Sequence, residues 1–247
     1  MTLDNLVELR PEHYLDLSGF RYRDIFDDVE VVWEALKVLP DYLSAHFKGN
    51  RPSLEGVEVH PTAIIDGDVT IGKGSKVGEY AVIKGPALIG ENCHVQPHAH
   101  IRGNLVAGDY TRIGNYTEVV NAILLGGSGS AKKEMSHFAH FNYVGYCIIG
   151  SRVVLGARVT TSSLRADWKP VTVSLNSEKL DTGLAQFSVV IGDDAQIGCH
   201  TLLNPGSLIG KGSWLNGAPF SWSGYLAPKK FAKGKNDHYE IVDKRPA

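Results

Sequence analysis

Large aliphatic residues recur at every sixth position through much of the chain. Between residues 59 and 125, steps of six meet Val, Ile or Leu at eleven of twelve positions. The twelve positions are Val59, Ile65, Ile71, Val77, Ile83, Ile89, Val95, Ile101, Ala107, Ile113, Val119 and Leu125. The same spacing returns at Ile149, Leu155 and Thr161, and again at Ile191, Ile197, Leu203, Ile209 and Leu215. A period of six fits neither the turn of an α-helix nor the two-residue alternation of a strand.

A six-residue period is typical of a solenoid in which short parallel strands are joined by tight corners. Each hexapeptide points one aliphatic side chain inward, and three hexapeptides close one triangular coil, so that like residues stack in a continuous core. Glycine often follows the inward position, as at Gly72, Gly78 and Gly90, and it supplies the backbone freedom of a corner. The sequence therefore predicts an all-β fold, a parallel β-helix of hexapeptide repeats whose register turns Leu125 and Tyr143 inward.

Residues 1–55 precede the repeat and carry a helical pattern. Four large apolar residues between positions 23 and 48 lie at helical spacing, namely Phe26, Val29, Trp33 and Leu36. Pro40 occupies a plausible helix start, because proline is tolerated in the first turn of a helix. We therefore predict a helical N-terminal cap that covers the open end of the solenoid.

The repeat itself is predicted to occupy residues 56–216, with two interruptions. Residues 126–142 open as a flexible Gly/Ser segment, and residues 162–188 contain the alternating stretch VTVSL, which predicts a hairpin. Insertions in a solenoid emerge on one face and commonly build the binding site. Residues 217–247 are expected to form an irregular C-terminal tail.

Composition and charge narrow the classes of partner. Of the 247 residues, 43% are hydrophobic and 21% are charged, and the net charge is -2. This balance gives no nucleic-acid footprint, and no apolar run reaches the length of a membrane span, so neither nucleic acid nor a membrane is an expected partner. No basic and apolar signal-peptide regions are visible at the N-terminus. The three cysteines are widely spaced, as in proteins of a reducing compartment. The expected location is the cytoplasm.

Three longer stretches carry a resemblance to a known family. They read IRGNLVAGDYTRIGNYTEVVNA, AHFNYVGYCIIGSRVVLGARVTTSSLR and TGLAQFSVVIGDDAQIGCHTLLNPGSLIG. With the repeat, they make the chain resemble the hexapeptide-repeat acyltransferases. The resemblance is to the acetyltransferase domain of bifunctional glucosamine-1-phosphate N-acetyltransferase/N-acetylglucosamine-1-phosphate uridylyltransferase, and to its archaeal-type sugar-1-phosphate relatives. It implies that the β-helix is left-handed, that acetyl-CoA is the acyl donor, and that three copies form a homotrimer with the active site between subunits.

The resemblance assigns substrate-side roles to four residues. His140, in AHFNYVG, falls on the family's general base, and a histidine that titrates near neutrality suits proton removal from an attacking amine. Tyr143 falls on a tyrosine that helps to hold the sugar, and Arg102 on a phosphate-binding arginine. Lys169, in DWKPV, falls on a substrate lysine. The implied acceptor is an amino sugar phosphate or a nucleotide-linked amino sugar.

Three further residues fall on positions that line the family's coenzyme A groove, largely through backbone contacts. They are Ala157, Cys199 and Gly217. The resemblance implies no metal ligand.

The chain departs from the family's pattern at several substrate-side positions. Val120 stands where the family has a second phosphate-side lysine, and Tyr146 where it has an aspartate. Val154 and Ser163 replace asparagines, and Arg158 replaces the last glycine of the LGAG motif. These changes imply either a different acceptor or a lost activity.

Two alternatives to an acyltransferase stay open from the sequence. A non-catalytic hexapeptide helix could bind a nucleotide sugar or a partner protein. A γ-type carbonic anhydrase would hold zinc with histidines from adjacent subunits, for which the candidates are His94, His98, His100, His137 and His140.

Overall fold

The computed structural model describes residues 7–216, 221–235 and 238–244. Their dominant element is a parallel β-helix with three flat faces, in which neighbouring coils pair strand to strand. Val59 pairs with Val77, Ile65 with Ile83 and Ile71 with Ile89, each 18 residues apart. Three hexapeptides therefore make one coil. The predicted all-β, left-handed parallel β-helix of hexapeptide repeats with a helical N-terminal segment is confirmed.

The strands of the β-helix fall on the three faces in strict rotation. The first face holds β1 (Glu58–Val59), β4 (Lys76–Val77), β7 (His94–Val95), β10 (Thr111–Ile113), β12 (Ser136–Phe138), β14 (Val154–Leu155), β19 (Gln196–Ile197), β22 (Trp214–Leu215) and β25 (Lys230–Lys235). The second face holds β2 (Ile64–Asp66), β5 (Val82–Lys84), β8 (His100–Ile101), the first halves of β11 (Glu118–Gly126) and β13 (Tyr143–Ser151), β15 (Thr160–Thr161), β20 (Leu202–Leu203) and β23 (Ser221–Trp222). The third face holds β3 (Val69–Ile71), β6 (Ala87–Ile89), β9 (Leu105–Ala107), the second halves of β11 and β13, β18 (Val189–Ile191), β21 (Ser207–Ile209) and β24 (Tyr225–Leu226).

The inward register slips by one residue on two coils. Ala107 pairs with Leu124, not with Leu125, and Leu124 lies in the core of the helix. On the next coil Val144 is the buried inward residue, and Tyr143 faces outward and is only partly buried. The predicted inward orientation of Leu125 and Tyr143 is therefore wrong. The physical reason is a shortened corner between the second and third faces. The inward residues Val119 and Leu124 on one coil, and Val144 and Ile149 on the next, are five positions apart and not six.

The N-terminal segment packs along a side of the β-helix. It contains 3-10 turns at Val7–Leu9, Arg23–Phe26 and Val32–Glu34, and helices α1 (Pro11–Tyr14) and α2 (Ala35–Gly49). Their apolar residues share a buried cluster with outward-facing residues of the third face, namely Leu88, Val106, Ile123, Ile148, Val190 and Leu208. The prediction that this segment covers the open end is wrong, because the exposed apolar side chains that need covering lie on the third face.

Helix α2 begins earlier than the sequence predicts. Its first residue is Ala35, and Pro40 lies inside it on the exposed side. The helix continues directly from the 3-10 turn at Val32–Glu34, where a Glu34 side-chain oxygen accepts a hydrogen bond from the Val31 N–H at 3.4 Å. That side-chain hydrogen bond stabilises the 3-10 turn from which α2 begins at Ala35, five residues before Pro40.

The two insertions and the tail differ from expectation to different degrees. The second insertion holds the predicted hairpin, with β16 (Thr172–Leu175) antiparallel to β17 (Glu178–Asp181). The first is shorter than 126–142, since β12 already belongs to the first face and buries Phe138 completely. Described residues beyond 217 are not irregular: β23, β24 and β25 continue the coils, and β25 pairs antiparallel with β26 (His238–Asp243). Apolar Trp222, Leu226 and Ala232 extend the core there.

None of the described helices combines the length and the hydropathy that a membrane crossing requires.

Candidate active site

The turn between the first and second faces, here called the His140 corner, aligns three of the predicted site residues. His140, Ala157 and Cys199 occupy equivalent positions on three successive coils. The Arg158 N–H donates to the His140 carbonyl oxygen at 3.0 Å, and the His200 N–H donates to the Ala157 carbonyl oxygen at 2.8 Å. Adjacent strands lie about 4.8 Å apart, so the three residues form a column. Gly217, the third groove-lining position that the resemblance implies, lies outside the described residues.

Each residue that follows a column position adopts a left-handed backbone. Phe141, Arg158 and His200 have φ of 59°, 62° and 59°. For residues other than glycine such a conformation costs about 1–2 kcal/mol. Here it closes a tight corner, and it directs the side chain away from the core. These residues are therefore presented to solvent beside the column.

A ladder of stacked rings leads along the same corner to His140. Tyr80, His98, Tyr116 and Phe141 stack in sequence, with ring centroids 5.2, 4.7 and 5.1 Å apart and ring planes within 17° of parallel. The two tyrosines and Phe141 remain at least half exposed. Residue-by-residue reasoning missed this ladder, although Tyr80, His98 and Tyr116 follow one another at the 18-residue repeat of a coil.

The His140 side chain is exposed at the end of this ladder. Its ring lies edge-on to Phe141, with centroids 5.8 Å apart. Among the described residues, no side chain forms a hydrogen bond with the imidazole. Both ring nitrogens are therefore available to a ligand in the neighbouring space.

His137 has a different environment from His140. It lies on β12 in the first face, in register with Arg112 on one side and Val154 on the other. Burial lowers the pKa of His137, and the nearby cations Arg112 and Lys132 lower it further. The neutral form of His137 is therefore favoured. His140 differs from His137 in that it lies in the column at the corner, whereas His137 lies on the first face.

Arg102 and Tyr143 come together on the second face, with a carboxylate that the sequence reasoning missed. Arg102 Nη1 lies 2.6 Å from Glu118 Oε1, and this bond raises the pKa of the guanidinium. Glu118 is directly in register with Tyr143 on the next coil. The Tyr143 ring lies over Gly145, where a side chain would approach the tyrosine hydroxyl to 2.8 Å. The charge of Arg102 is thus already matched within the chain.

Lys169 is not brought into this group. It is exposed in the second insertion, where its N–H donates to Asp167 Oδ1 at 3.3 Å. Asp167 in turn accepts two hydrogen bonds from Arg165 at 2.8 and 2.7 Å. Within the described part of the chain, Lys169 has no polar side-chain contact with His140, Arg102 or Tyr143.

A groove on the first face runs beside the C-terminal part of the column. It has a volume of about 210 Å³ and is lined by residues that include Val154, Gly156, Cys199, Trp214, Asn216 and Phe231. At Gly156 a Cβ would come within 2.6 Å of the Cys199 nitrogen, so the floor there is bare backbone. A slender, partly apolar chain fits such a groove.

The histidines do not assemble a metal site within one chain. His94 and His137 lie on the first face, His98 and His140 at the corner, and His100 on the second face. Over the ranges that the structure describes, no three His, Cys, Asp or Glu side chains are grouped closely enough to share a metal ion.

Two curated relatives are similar to this chain, and the second, of which the chain covers more than two thirds, decides the family. The bifunctional protein GlmU of Methanococcus aeolicus is 30% identical over 212 residues, which cover 86% of this chain and 48% of that protein. Uncharacterized acetyltransferase YaiX of Escherichia coli O6:K15:H31 is 30% identical over 183 residues, which cover 72% of this chain and 76% of that protein. The chain belongs to the hexapeptide-repeat acyltransferases. The resemblance inferred from the sequence is confirmed.

The match to the longer relatives is partial. The chain spans about half the length of the GlmU proteins of Methanococcus aeolicus and Methanocaldococcus jannaschii, 48% and 45% respectively. No protein-family model matches the chain. Among solved structures, a UDP-N-acetylglucosamine acyltransferase is 18% identical, with a TM-score of 0.44 over 77% of this chain and 73% of that one. A point mutant of AntD, an N-acyltransferase from Bacillus cereus in complex with dTDP and coenzyme A, is 17% identical, with a TM-score of 0.32 over 77% of this chain and 81% of that one.

Proposed function

We propose that this chain transfers an acetyl group from acetyl-CoA to the amine of an amino sugar phosphate or of a nucleotide-linked amino sugar. The observation that carries the proposal is the column at the His140 corner. It sets an exposed imidazole one coil away from Ala157 and two coils away from Cys199, with the groove alongside. A general base must stand within hydrogen-bond reach of the proton that it removes, and an exposed ring beside a donor groove meets that need.

In the proposed reaction, the acceptor nitrogen attacks the thioester carbonyl carbon while a ring nitrogen of His140 takes a proton from the amine. A tetrahedral intermediate forms, its carbon–sulfur bond breaks, and the coenzyme A thiolate leaves and is protonated. The developing oxyanion requires a hydrogen-bond donor. The Ala157 N–H suits this role because it donates to no other described residue.

The donor would lie along the groove beside Cys199. The bare backbone of the groove at Gly156 and its apolar wall of Trp214 and Phe231 suit the pantetheine arm of coenzyme A. The acceptor would lie over the second face, where the Tyr143 ring offers a flat apolar surface and a hydroxyl. Tyr143 is three residues from His140, a span of about 10 Å at most.

We also propose that three copies of the chain associate and that the His140 corner lies between them. The support is the exposed ladder, in which Tyr80, Tyr116 and Phe141 leave 59%, 52% and 50% of their surfaces open in the single chain. Contiguous exposed aromatic surface is a mark of interaction sites. Light scattering should give the mass of a trimer, and the mass of a monomer would remove the intersubunit arrangement.

A second candidate is a helix that binds a nucleotide sugar without turnover. The observation that favours it is the Arg102–Glu118 ion pair, which occupies the predicted phosphate ligand. The deciding experiment incubates the protein with acetyl-CoA and a panel of amino sugars, amino sugar phosphates and nucleotide-linked amino sugars, and follows the release of free thiol. Turnover of any of them supports the transferase. Binding of a nucleotide sugar with no thiol release would favour the second candidate.

A further inference from the structure

The arginine that stands one coil beyond His140 has no carboxylate partner among the described residues, unlike four other described arginines. Arg21, Arg102, Arg152 and Arg165 each lie within 3.2 Å of a carboxylate oxygen of Asp or Glu. Arg158 is exposed, and no described carboxylate lies within ion-pair distance of it. A solvent-facing guanidinium without a protein anion is free to bind an external one.

Arg158 is nevertheless held in place by two contacts. Its N–H donates to the His140 carbonyl oxygen at 3.0 Å, which fixes its backbone to the coil of the predicted base. Its guanidinium carbon lies 5.7 Å from the centre of the Phe141 ring, within the range of a cation–π contact. Phe141 is itself stacked on Tyr116, so the ring that supports the guanidinium is restrained.

The chemistry of this arrangement selects a class of ligand. A guanidinium in a cation–π contact still has N–H groups to donate, and these match the two oxygens of a phosphate or carboxylate. Arg102, the phosphate ligand expected from the sequence, is instead engaged with Glu118. The anion-binding capacity of the site therefore lies at the His140 corner, on the side of the column.

We propose that Arg158 binds the anionic group of the acyl acceptor and thereby selects a phosphorylated amino sugar. This proposal rests on the proposed transferase function, which supplies the amine, but the binding of the anion does not require turnover. Arg158 acts as a specificity residue: it touches the acceptor's phosphate and takes no part in the proton transfer at His140.

The test compares the wild-type chain with Arg158→Gly, Arg158→Lys and a control, Arg152→Gly. Glycine accepts the left-handed backbone at position 158 without strain, so the variant should fold. Arg152 has a similar φ of 57° but stands at a different corner and pairs with Asp194. The control therefore reproduces the loss of an arginine at a left-handed position away from the column.

Calorimetry would measure the binding of glucosamine, glucosamine 1-phosphate and glucosamine 6-phosphate to each protein, together with the binding of coenzyme A. In the wild type and in Arg152→Gly, we expect one of the phosphates to bind more tightly than glucosamine. In Arg158→Gly that preference should fall by about ten- to a hundredfold, the range expected for hydrogen bonds to a charged group. Arg158→Lys should retain part of it, since lysine keeps the charge but not the fork.

Three results would overturn the assignment. The first is a phosphate preference that is unchanged in Arg158→Gly, and the second is a wild type that binds neither phosphate more tightly than glucosamine. The third is an Arg158→Gly variant that loses affinity for coenzyme A alone, which would place Arg158 on the phosphates of the donor. The proposed function fails separately: phosphate-selective binding without thiol release would retain the assignment of Arg158 and reject the transferase.

Discussion

Arg102 and Glu118 form an ion pair on the second face, with 2.6 Å between Nη1 and Oε1. The pair joins two neighbouring coils and leaves both side chains about half to one-third exposed. Because it is exposed, it contributes less than about 1 kcal/mol to stability. Its larger consequence is electrostatic, since the carboxylate beside Arg102 repels an incoming phosphate.

Replacing Glu118 by Gln should therefore release Arg102 for a substrate anion. For a phosphorylated acceptor, we expect KM to fall about two- to fivefold, because removal of one exposed like charge changes binding by roughly 0.5–1 kcal/mol. The KM for acetyl-CoA should not change. Steady-state kinetics on Glu118→Gln checks this, with Glu58→Gln as a control, since Glu58 on the first coil forms a similar exposed ion pair with Lys76 on the second. A KM that rises would mean that Glu118 itself binds the acceptor.

His140→Ala should lower kcat by about 10²- to 10⁴-fold, the usual contribution of a general base. The side chain is exposed, so the free energy of unfolding should change by less than about 0.5 kcal/mol. Thiol-release assays and urea unfolding measure the two quantities. His46→Gln, on helix α2, serves as the matched control and should retain wild-type rates. Wild-type kcat in His140→Ala would assign the base elsewhere.

Phe138 and Phe141 test the register of the coil that follows the first insertion. Phe138 is completely buried in the core, whereas Phe141 leaves half of its surface exposed at the corner. Phe138→Ala should lower the free energy of unfolding by about 3–5 kcal/mol because it opens a cavity. Phe141→Ala should lower it by about 1 kcal/mol, the scale of an exposed stacking contact. Chemical denaturation of both variants checks the difference, and equal losses would contradict the register described above.

The stability of the protein should fall as the pH is lowered through about 6.5. Burial lowers the pKa values of His13, His94 and His137 from 6.5 in the folded chain. A histidine whose folded pKa is depressed binds its proton first in the unfolded chain, so acid favours unfolding. The loss begins below the unfolded value of 6.5, above the range in which carboxylates titrate.

Urea midpoints between pH 7.5 and pH 5.5 would measure this dependence. His137→Gln should make the dependence shallower, because it removes one of the three groups. A dependence of equal slope in wild type and His137→Gln would exclude a contribution from His137.

The solenoid and its period were determined by the sequence alone. Aliphatic side chains at every sixth position have one way to be buried together, which is to stack coil on coil, so Ile65, Ile83 and Ile101 become neighbours. The roles assigned to His140, Ala157 and Cys199 came from the resemblance to a family. Their placement in one column then follows from the corner positions that they occupy.

Only the tertiary structure decided which side chains share an environment around those positions. A corner shortened by one residue turns Tyr143 outward and Val144 inward. The period of six in the sequence does not show where a corner is one residue shorter. The partner of Arg102 is a carboxylate on another coil, because parallel pairing sets Glu118 beside it. The N-terminal helix covers the third face because the apolar side chains that face outward there require burial. Local pattern fixes the period of the fold, whereas pairing between coils fixes the chemistry of its surface.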